Sequence, residues 1–402
     1  MNIILYAIPG FFVLIGLELL AEKVRGTHYY RVNDAITSLA TGVISQLSKI
    51  VALLIPFTIY VSVYDNFAVF KFDQSPLFWV IAFIGYDFCY YWFHRFGHEI
   101  NLLWAAHVIH HSSEEYNLTT ALRQTSTGWL GFIFYLPMAL LGFSPQMVIT
   151  VGALNLVYQY WVHTRHIAKL GWYELVFVTP SNHRVHHAQN KVYIDRNYGG
   201  VFILWDRLFG TFQEELDKQP VIFGIRGALQ SWNPLWANIQ LYNQLFQDCL
   251  HTKYWWYKLT IWFRRTGWRP PDVVDSYPLI KTDLDNFSKF HTDLTPSLKV
   301  YAILQHVINT VLALAVLMNL ELVSAWQQLG AISFIMFSSY SVGTVMELKS
   351  SGLTLEFIKH TFLIVAGWVF FSQGWLLMLL VALSLCSLLA LQTNALKQSA
   401  RA

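Results

Sequence analysis

Charged residues are scarce in this chain of 402 residues, because Asp, Glu, Lys and Arg make up only 13% of it against 55% hydrophobic residues. Soluble globular domains carry about 25% charged residues, so the composition excludes a disordered chain and a purely soluble enzyme. The two signs also nearly cancel, with 27 Lys and Arg against 24 Asp and Glu. A chain without a basic excess is poorly suited to a phosphate backbone, and we expect no nucleic-acid partner.

Cysteine is nearly absent as well. The three cysteines, Cys89, Cys249 and Cys386, lie far apart in apolar or aromatic surroundings and form no CxxC spacing. This excludes a disulfide framework and argues against thiolate metal sites of the structural-zinc or iron–sulfur kind. We interpret the three as reduced thiols of the core.

Long apolar segments are abundant. A hydrocarbon core of about 30 Å requires roughly 20 apolar residues in a helix. Nine segments approach that length with few charges, namely 3–21, 36–63, 77–93, 129–143, 146–162, 300–320, 323–345, 355–371 and 374–391. The pattern predicts an all-α, polytopic integral membrane helical protein with about nine transmembrane helices. Alternatively, some of these segments are buried helices of a large soluble core. The rest of the protein could hardly cover the four consecutive apolar segments at the C-terminus, which argues against this alternative.

The basic residues predict an orientation. With the N-terminus outside, nearly all Lys and Arg between the segments fall in cytoplasmic loops, and Lys71 alone falls outside. The expected domains are N-terminal transmembrane helices (1–76), a core with three histidine motifs (77–215), a cytoplasmic or interfacial amphipathic region (216–298) and a C-terminal four-helix transmembrane region (299–402).

Aromatic and basic residues are interleaved in the third of these regions. Tryptophans recur among Lys and Arg between residues 232 and 268, at Trp236, Trp255, Trp256, Trp262 and Trp268. This composition suits a helix at the level of the lipid headgroups. Packing against the rest of the protein explains it equally well, so both interpretations stay open here.

Histidine is the residue whose abundance requires a chemical explanation. Eight of the 15 histidines form an HxxxH pair and two HxxHH triplets: His94, His98, His107, His110, His111, His183, His186 and His187. On a helix, offsets of three and four residues share one face, so each cluster offers imidazoles to a common centre. Eight imidazoles exceed the needs of one ion, and the sequence therefore predicts two metals in a cytoplasmic histidine-rich di-metal site.

Other polar residues near the clusters are secondary candidates. His163 ends the fifth segment and is favoured as a ninth ligand, whereas the role of His166 stays open. Asp87 precedes His94 by two helical turns and could orient a ligand imidazole. Three acids adjoin the clusters as alternative ligands or orienting groups, Glu99, Glu114 and Glu115. The isolated histidines are interpreted as hydrogen-bonded residues at helix ends, namely His28, His251, His291, His306 and His360.

The motifs HRFGH, HVIHH and HRVHH, with YDFCYYWFHR before them and YGGVFILWDRLFGTF after them, resemble the fatty acid hydroxylase and sterol desaturase superfamily of membrane di-iron enzymes. Three further stretches are most similar to the alkylglycerol monooxygenase family, whose members cleave ether lipids: HSSEEYNLTTALRQ, YQYWVHT and TPSNHRVHHAQNKVYIDRNYGG. Asn182 departs from that pattern, since the family has a further histidine there, and His166 falls where none is expected.

The resemblance implies that the eight motif histidines bind two irons, with His163 as an extra ligand. Glu99 matches an acid that follows the first motif, and we take it and Asp87 as candidate catalytic residues. Eight residues are candidates for lining a substrate or pterin cavity, although loop packing would explain them as well: Tyr116, Asn117, Arg123, Gln124, Asp195, Asn197, Tyr198 and Trp205.

The implied reaction inserts one oxygen atom of O₂ into a lipid alkyl chain beside a glyceryl ether oxygen, and the product collapses to a fatty aldehyde and a glycerol derivative. Tetrahydrobiopterin is the implied reductant, and a b-type cytochrome or a ferredoxin is the alternative electron donor. Zinc is an alternative to iron as the bound metal in a purified sample. The expected location is a bacterial inner membrane or the endoplasmic reticulum, with the site on the cytoplasmic side.

Two rival functions remain at this point. A sterol desaturase, or a fatty acid or carotenoid hydroxylase, of the same superfamily would use the same motifs. A membrane zinc-binding or transport protein would also use histidines, but a transporter requires ionisable residues along the bilayer depth. The predicted segments contain only Glu18, Lys49, Asp87 and a few residues at their edges, which argues against transport.

Overall fold

The computed structural model describes residues 3–322 and 324–370, and residues 381, 383–385, 387–389 and 391–392 of the last predicted segment. This part of the chain is helical and has no strand. Extended residues pair only as isolated bridges, Ile100 with Arg265, Phe177 with Phe202 and Ala188 with Phe223. The prediction of an all-helical protein is confirmed. Cys89 and Cys249 are free, as expected, whereas Cys386 lies outside the described residues.

The first eight helices run from the N-terminus to residue 161: α1 (Ile3–Arg25), α2 (Val32–Ala52), α3 (Leu54–Phe67), α4 (Pro76–Glu99), α5 (Asn101–His111), α6 (Leu118–Ala121), α7 (Leu136–Leu141) and α8 (Pro145–Trp161). The others are α9 (Pro180–His186), α10 (Leu204–Leu208), α11 (Pro234–His251), α12 (Trp255–Thr260), α13 (Pro271–Ser276), α14 (Pro296–Met318), α15 (Ala325–Met346) and α16 (Ser351–Phe370). Three 3-10 helices cover Gly128–Tyr135, Gly171–Leu175 and Ile261–Phe263.

Several helices begin with a Ser-Pro or Thr-Pro pair. Proline fits the first helical turn because its missing N–H would have no intrahelical partner there. The hydroxyl before it accepts a hydrogen bond from a free N–H of that turn, as Ser144 does for α8, Thr179 for α9 and Thr295 for α14. The local sequence therefore sets where these helices start.

Two predicted segments are not single α-helices. The segment expected at 36–63 is divided, since α2 ends at Ala52 and α3 begins at Leu54. Pro56 has no N–H to bond the carbonyl of Ala52, so one continuous helix would lose that hydrogen bond. The segment expected at 129–143 is a 3-10 helix followed by the short α7, which ends at Gly142 with φ 107°.

Three helices of the described chain are long and apolar enough to cross a membrane, Val32–Ala52, Pro296–Met318 and Ala325–Met346, and Gly128–Leu141 is a shorter apolar stretch. Together with the apolar composition, they characterise an integral membrane protein. The helix α4 has 24 residues but is less apolar, because it includes Asp87, several tyrosines and two histidines. The ninth predicted segment, 374–391, lies mostly outside the described residues.

The chain forms two compact units. The first comprises Met1–Arg31, Ser48–Leu229 and Asn238–Ser288, and the second comprises Val32–Leu47, Gln230–Ala237 and Lys289–Ala402. In the first unit α4 packs against α5 and α8, around a core with Ala82, Met138 and Met147. In the second, α15 packs against both α14 and α16. All three histidine motifs lie in the first unit.

Candidate metal centre

Four elements of the first unit present the nine predicted histidines. The last turns of α4 carry His94 and His98, α5 carries the first HxxHH triplet, and α9 with the residue after it carries the second. His163 follows the end of α8. The short α9 is fixed by a capping box in which Asn182 accepts a hydrogen bond from the N–H of Thr179 at 3.1 Å. The asparagine that departs from the family pattern thus stabilises the start of a ligand-bearing helix.

The structure brings these nine side chains together in two groups, and the candidate ligand atoms of each group lie within 4.8 Å of one another. The five-histidine group consists of His94, His98, His107, His111 and His186. The four-histidine group consists of His110, His163, His183 and His187. His166 belongs to neither group, and its Nδ1 lies 3.4 Å from the guanidinium of Arg25.

Backbone carbonyls determine which ring nitrogen carries the proton in four of these histidines. A carbonyl oxygen only accepts, so an Nδ1 in contact with one must donate. Such contacts join His94 to Tyr198 at 2.8 Å, His110 to Arg123 at 3.0 Å, His163 to Gln159 at 2.8 Å and His186 to Arg196 at 2.9 Å. In the neutral rings Nε2 therefore carries a lone pair that is free to bind a metal.

These lone pairs face one another at short range. Nε2 of His163 lies 3.3 Å from Nε2 of His110, although both rings carry their proton on Nδ1. Neither atom can donate, so the contact is repulsive unless a cation lies between them. Two imidazoles bound at about 2.1 Å and at right angles to one ion would have nitrogens about 3 Å apart. The residues present therefore fit a metal ion.

Burial supports the same conclusion. Eight of the nine side chains are buried, and only His107 is partly exposed. Loss of hydration lowers the pKa of His110 to about 4 and holds the pKa values of His183 and His187 well below 6.5. The rings are thus neutral at neutral pH, as a ligand must be. Nε2 of His98 and of His186 is buried and has no hydrogen-bond partner among the described residues; coordination to a metal would use the lone pair of each.

The loop at residues 195–198 holds the five-histidine group in place. Asp195 and Asn197 have positive φ angles of 59° and 56°, a conformation that Asp and Asn tolerate better than most residues. Between and after them, the carbonyls of Arg196 and Tyr198 accept the hydrogen bonds from His186 and His94. The side chain of Asn197 is occupied with the carbonyls of Asn182 and Gln213, so it has a positioning role here.

Asp87 contacts no ligand imidazole. Its carboxylate accepts from the N–H groups of Val201 at 2.9 Å and Phe202 at 3.0 Å, from Asn155 at 2.7 Å and from the indole of Trp205 at 3.0 Å. A buried carboxylate with four donors fixes the segment that follows Tyr198, and it therefore acts on the histidines through the backbone.

The acids next to the clusters lie outside both groups. Glu99 accepts from Arg95 at 3.0 Å and is about one-quarter exposed, beside His98. Glu115 pairs with Arg31 at 2.6 Å, and Glu114 lies 3.8 Å from the same guanidinium.

The residues predicted to line a cavity around 116–124 pack behind the four-histidine group. The ring of Tyr116 stacks on His163 with centroids 5.6 Å apart. Asn117 caps α6, and the buried Arg123 donates to Ser112 at 2.9 Å while its carbonyl accepts from His110. Gln124 donates to the carbonyl of Ala121 at 2.8 Å. Most of these contacts position the ligands.

Sequence reasoning missed Glu18 and Asp206. The carboxylate of Glu18 accepts from Thr164 at 2.5 Å, from the N–H of Leu118 at 2.8 Å and from Tyr30. It therefore ties α1 to the residue after His163. A lone acid in an apolar helix was the available signal. Asp206 accepts from the N–H of Tyr198 at 2.7 Å, and burial raises its pKa to about 6; it lies in the stretch YGGVFILWDRLFGTF, but the stretch alone does not show which of its residues hold the site.

A small cavity of about 20 Å³ lies against His107, the partly exposed ligand candidate. Its wall is mainly apolar, and hydroxyl groups lie at one side, where Tyr242 donates to Thr127 at 3.0 Å. The lining residues are Phe93, Leu102, Leu103, Ala106, His107, Thr125, Thr127, Gly128, Leu130, Gly131 and Tyr242.

Known proteins resemble this chain over most of its length. A family model described as fatty acid hydroxylase matches residues 79–211, which include all nine histidines. Alkylglycerol monooxygenase of Homo sapiens is 35% identical over 88% of this chain and 80% of its own length. That of Danio rerio is 36% identical over 88% of this chain and 79% of its own length. The chain belongs to the alkylglycerol monooxygenase family.

Membership of the alkylglycerol monooxygenase family makes the protein an oxygen-dependent lipid monooxygenase with a fatty acid hydroxylase domain, as the motifs predicted. The similarity extends well beyond residues 79–211, to helices outside the hydroxylase domain. Ornithine lipid hydroxylase OlsE of Rhizobium tropici is 30% identical over 39% of this chain and 49% of its own length. No solved structure matches the chain.

Proposed function

We propose that the protein is a di-iron monooxygenase that hydroxylates the alkyl carbon beside the ether oxygen of an alkylglycerol. One atom of O₂ enters the C–H bond and the other leaves as water, with two electrons from a reductant and two protons from solvent. The hemiacetal then loses its C–O bond to the glycerol, giving a fatty aldehyde. The observation that carries the proposal is the convergence of nine imidazoles in two groups, four of them with Nδ1 bonded to a backbone carbonyl and Nε2 free, within a chain of this family.

The histidines of the two groups would hold two irons. Bound irons supply the reduction of O₂ that side chains cannot perform. The five-histidine group offers more ligands than the four of a tetrahedral zinc site, and this favours iron. Neither group includes a cysteine, the common ligand of structural zinc. The carbonyls of Tyr198, Arg123, Gln159 and Arg196 keep the Nε2 atoms directed at the metals.

The other side chains near the site would bind the lipid and handle protons. The apolar side chains beside His107 suit contact with an alkyl chain, but the cavity of about 20 Å³ there holds only a water-sized group and would have to widen to admit a lipid. We assign to the carboxylate of Glu99, which is about one-quarter exposed and accepts from Arg95 at 3.0 Å, the exchange of protons with water. Asp87 positions the loop that orients His94. The site is shaped beside the four-histidine group by Tyr116, Asn117, Arg123 and Gln124. Near the loop at residues 195–198 it is shaped by Asp195, Asn197, Tyr198 and Trp205.

We further propose that tetrahydrobiopterin is the electron donor, with a b-type cytochrome or a ferredoxin as the alternative. The site faces the cytoplasm in a topology of about nine spans, in a bacterial inner membrane or the endoplasmic reticulum. The domains run 1–76, 77–215, 216–298 and 299–402. The excess of Lys and Arg on one side of the predicted segments supports this orientation.

The test incubates membranes containing the protein with an alkylglycerol, tetrahydrobiopterin and O₂, followed by mass spectrometry. We expect a fatty aldehyde with wild type, none with His110→Ala or His186→Ala, and an unchanged amount with His166→Ala, the matched control. A hydroxylated chain that keeps its ether bond would instead indicate a hydroxylase of the same superfamily. Aldehyde formation by His110→Ala at the wild-type rate would contradict the proposed ligation.

A further inference from the structure

The segment 238–268 has two different apolar faces. Its inner face includes Leu245 and Ile261, which are buried together with Ala105 of α5, and Trp262 and Trp268 pack against that cluster. This packing ties α11 and the 3-10 helix Ile261–Phe263 to α5, which carries three of the clustered histidines.

The outer face is exposed although it is strongly apolar. Trp255 is 77% exposed, Trp256 64% and Phe263 72%. We call the exposed set the aromatic surface: Phe246, Leu250, Trp255, Trp256, Leu259 and Phe263. The two ends of the set are linked by Lys258, which donates to the carbonyl of Cys249 at 2.6 Å and so holds α12 to the end of α11. Several large apolar side chains exposed on two linked helices mark an interaction site.

The charged residues of the segment 253–265 are all basic, and the carboxylate of Asp272 lies at one end of this segment, where it accepts from the N–H of Lys253 at 2.9 Å. Between residues 253 and 265 the sequence contains Lys253, Lys258, Arg264 and Arg265 and no acidic residue. Lys253, Arg264 and Arg265 are exposed. Basic residues next to Trp and Phe complement anionic lipid headgroups, because the rings enter the boundary of the acyl chains while the cations stay at the phosphates.

We propose that the aromatic surface lies in the headgroup layer of an anionic membrane leaflet, as a contact separate from the membrane-spanning helices. This goes beyond the proposed reaction and does not depend on it. Of the two interpretations that the sequence left open, packing against the protein applies to Trp262 and Trp268, and the proposal assigns the headgroup level to the exposed Trp255 and Trp256. The helix α11 contributes Tyr242 to the cavity beside His107, so the segment lies between that cavity and the lipid it contacts.

The experiment uses the full chain in nanodiscs with anionic lipid, with the native cysteines replaced by alanine. Spin labels are placed by Trp256→Cys and Phe263→Cys, with Lys218→Cys, at an exposed polar position, as the control. Collisions with O₂, which concentrates in lipid, and with a water-soluble nickel chelate are measured. We expect the ratio of O₂ to nickel collisions to be severalfold higher at residues 256 and 263 than at residue 218.

Two results would overturn the proposal. Nickel collisions at residues 256 and 263 equal to those at residue 218 would place the surface in water. Protection from both reagents would show that protein covers it. In nanodiscs of zwitterionic lipid, or with Lys253, Arg264 and Arg265 replaced by glutamine, we expect the ratio to fall severalfold, and an unchanged ratio would overturn the role of the basic residues. The labels are read without substrate, so a failure of the proposed reaction leaves the result interpretable.

Discussion

At the scale of single residues, a hydrogen bond to a backbone carbonyl orients four of the nine candidate ligands, His94, His110, His163 and His186. The spacing HxxHH predicts that the imidazoles share a helix face, and the structure brings them together. The spacing does not predict which nitrogen is protonated, because the accepting carbonyls of Arg196 and Tyr198 belong to a loop distant in sequence from His94. The candidates were therefore accessible from sequence, whereas their orientation was not.

His163 and His166 provide a comparison of two histidines three residues apart. His163 lies in the four-histidine group and His166 does not. Loss of a group that only orients a metal ligand typically lowers metal affinity about 10–100-fold. We therefore expect His163→Ala, which removes a ligand itself, to lower the affinity at least tenfold. His166→Ala should leave the metal content unchanged. Metal analysis of the purified variants after dialysis measures this, and equal metal content in both would argue against His163 as a ligand.

Glu18 should contribute to stability although it lies outside the hydroxylase domain. In Glu18→Gln, an amide group replaces one oxygen that accepts hydrogen bonds, so a buried donor such as the N–H of Leu118 loses its partner. The expected cost is about 1–3 kcal/mol, seen as a lower Tm in detergent. The exposed Lys23→Gln on the same helix is the control. A Tm equal to that of wild type would refute the role of Glu18.

At the scale of elements, hydropathy predicts where apolar helices lie but not their internal conformation. Pro56 divides a segment that is apolar throughout, and Gly131 lies in a 3-10 helix where an added Cβ would come within 2.6 Å of the ring of Phe93. Such close contacts arise between elements far apart in sequence. The length of an apolar run contains no information about them.

Gly142 is the clearest case of a backbone requirement. Its φ is 107°, and an added Cβ would lie 2.0 Å from the carbonyl oxygen of Phe70. Gly142→Ala should therefore reduce the yield of monodisperse protein strongly, since the backbone strain alone costs about 1–3 kcal/mol. Gly227→Ala, which has open space around it, is the matched control. Similar yields and Tm values for both variants would contradict this reading of the turn.

At the scale of the whole molecule, composition predicted a membrane protein and the motifs predicted its chemistry, but the second unit was predicted only as apolar helices. It contains a buried polar network that hydropathy conceals. Lys359 lies 2.5 Å from Glu356 and donates to Gln305 at 2.9 Å, and Ser341 donates to Glu356 at 2.7 Å. Such a network depends on the register of α14, α15 and α16, which one sequence does not reveal.

This network gives a prediction for the second unit. Glu356→Gln leaves the buried ammonium of Lys359 without its counter-charge and should cost about 3–5 kcal/mol. Adding Lys359→Met removes that charge, so the double variant should recover much of the lost stability. Thermal unfolding of the full chain in detergent measures both. Lys359→Met alone completes the cycle. If the double variant loses as much stability as the two single variants lose together, the coupling between Glu356 and Lys359 is refuted.

The central claim is that nine imidazoles bind two irons, and metal quantification tests it most directly. The full chain, expressed with ⁵⁷Fe and purified under anaerobic conditions, is analysed for metals and by Mössbauer spectroscopy. We predict two irons per chain in two distinct nitrogen-rich sites. A single iron per chain, or a protein that binds only zinc and consumes no O₂ when reductant is added, would contradict the claim.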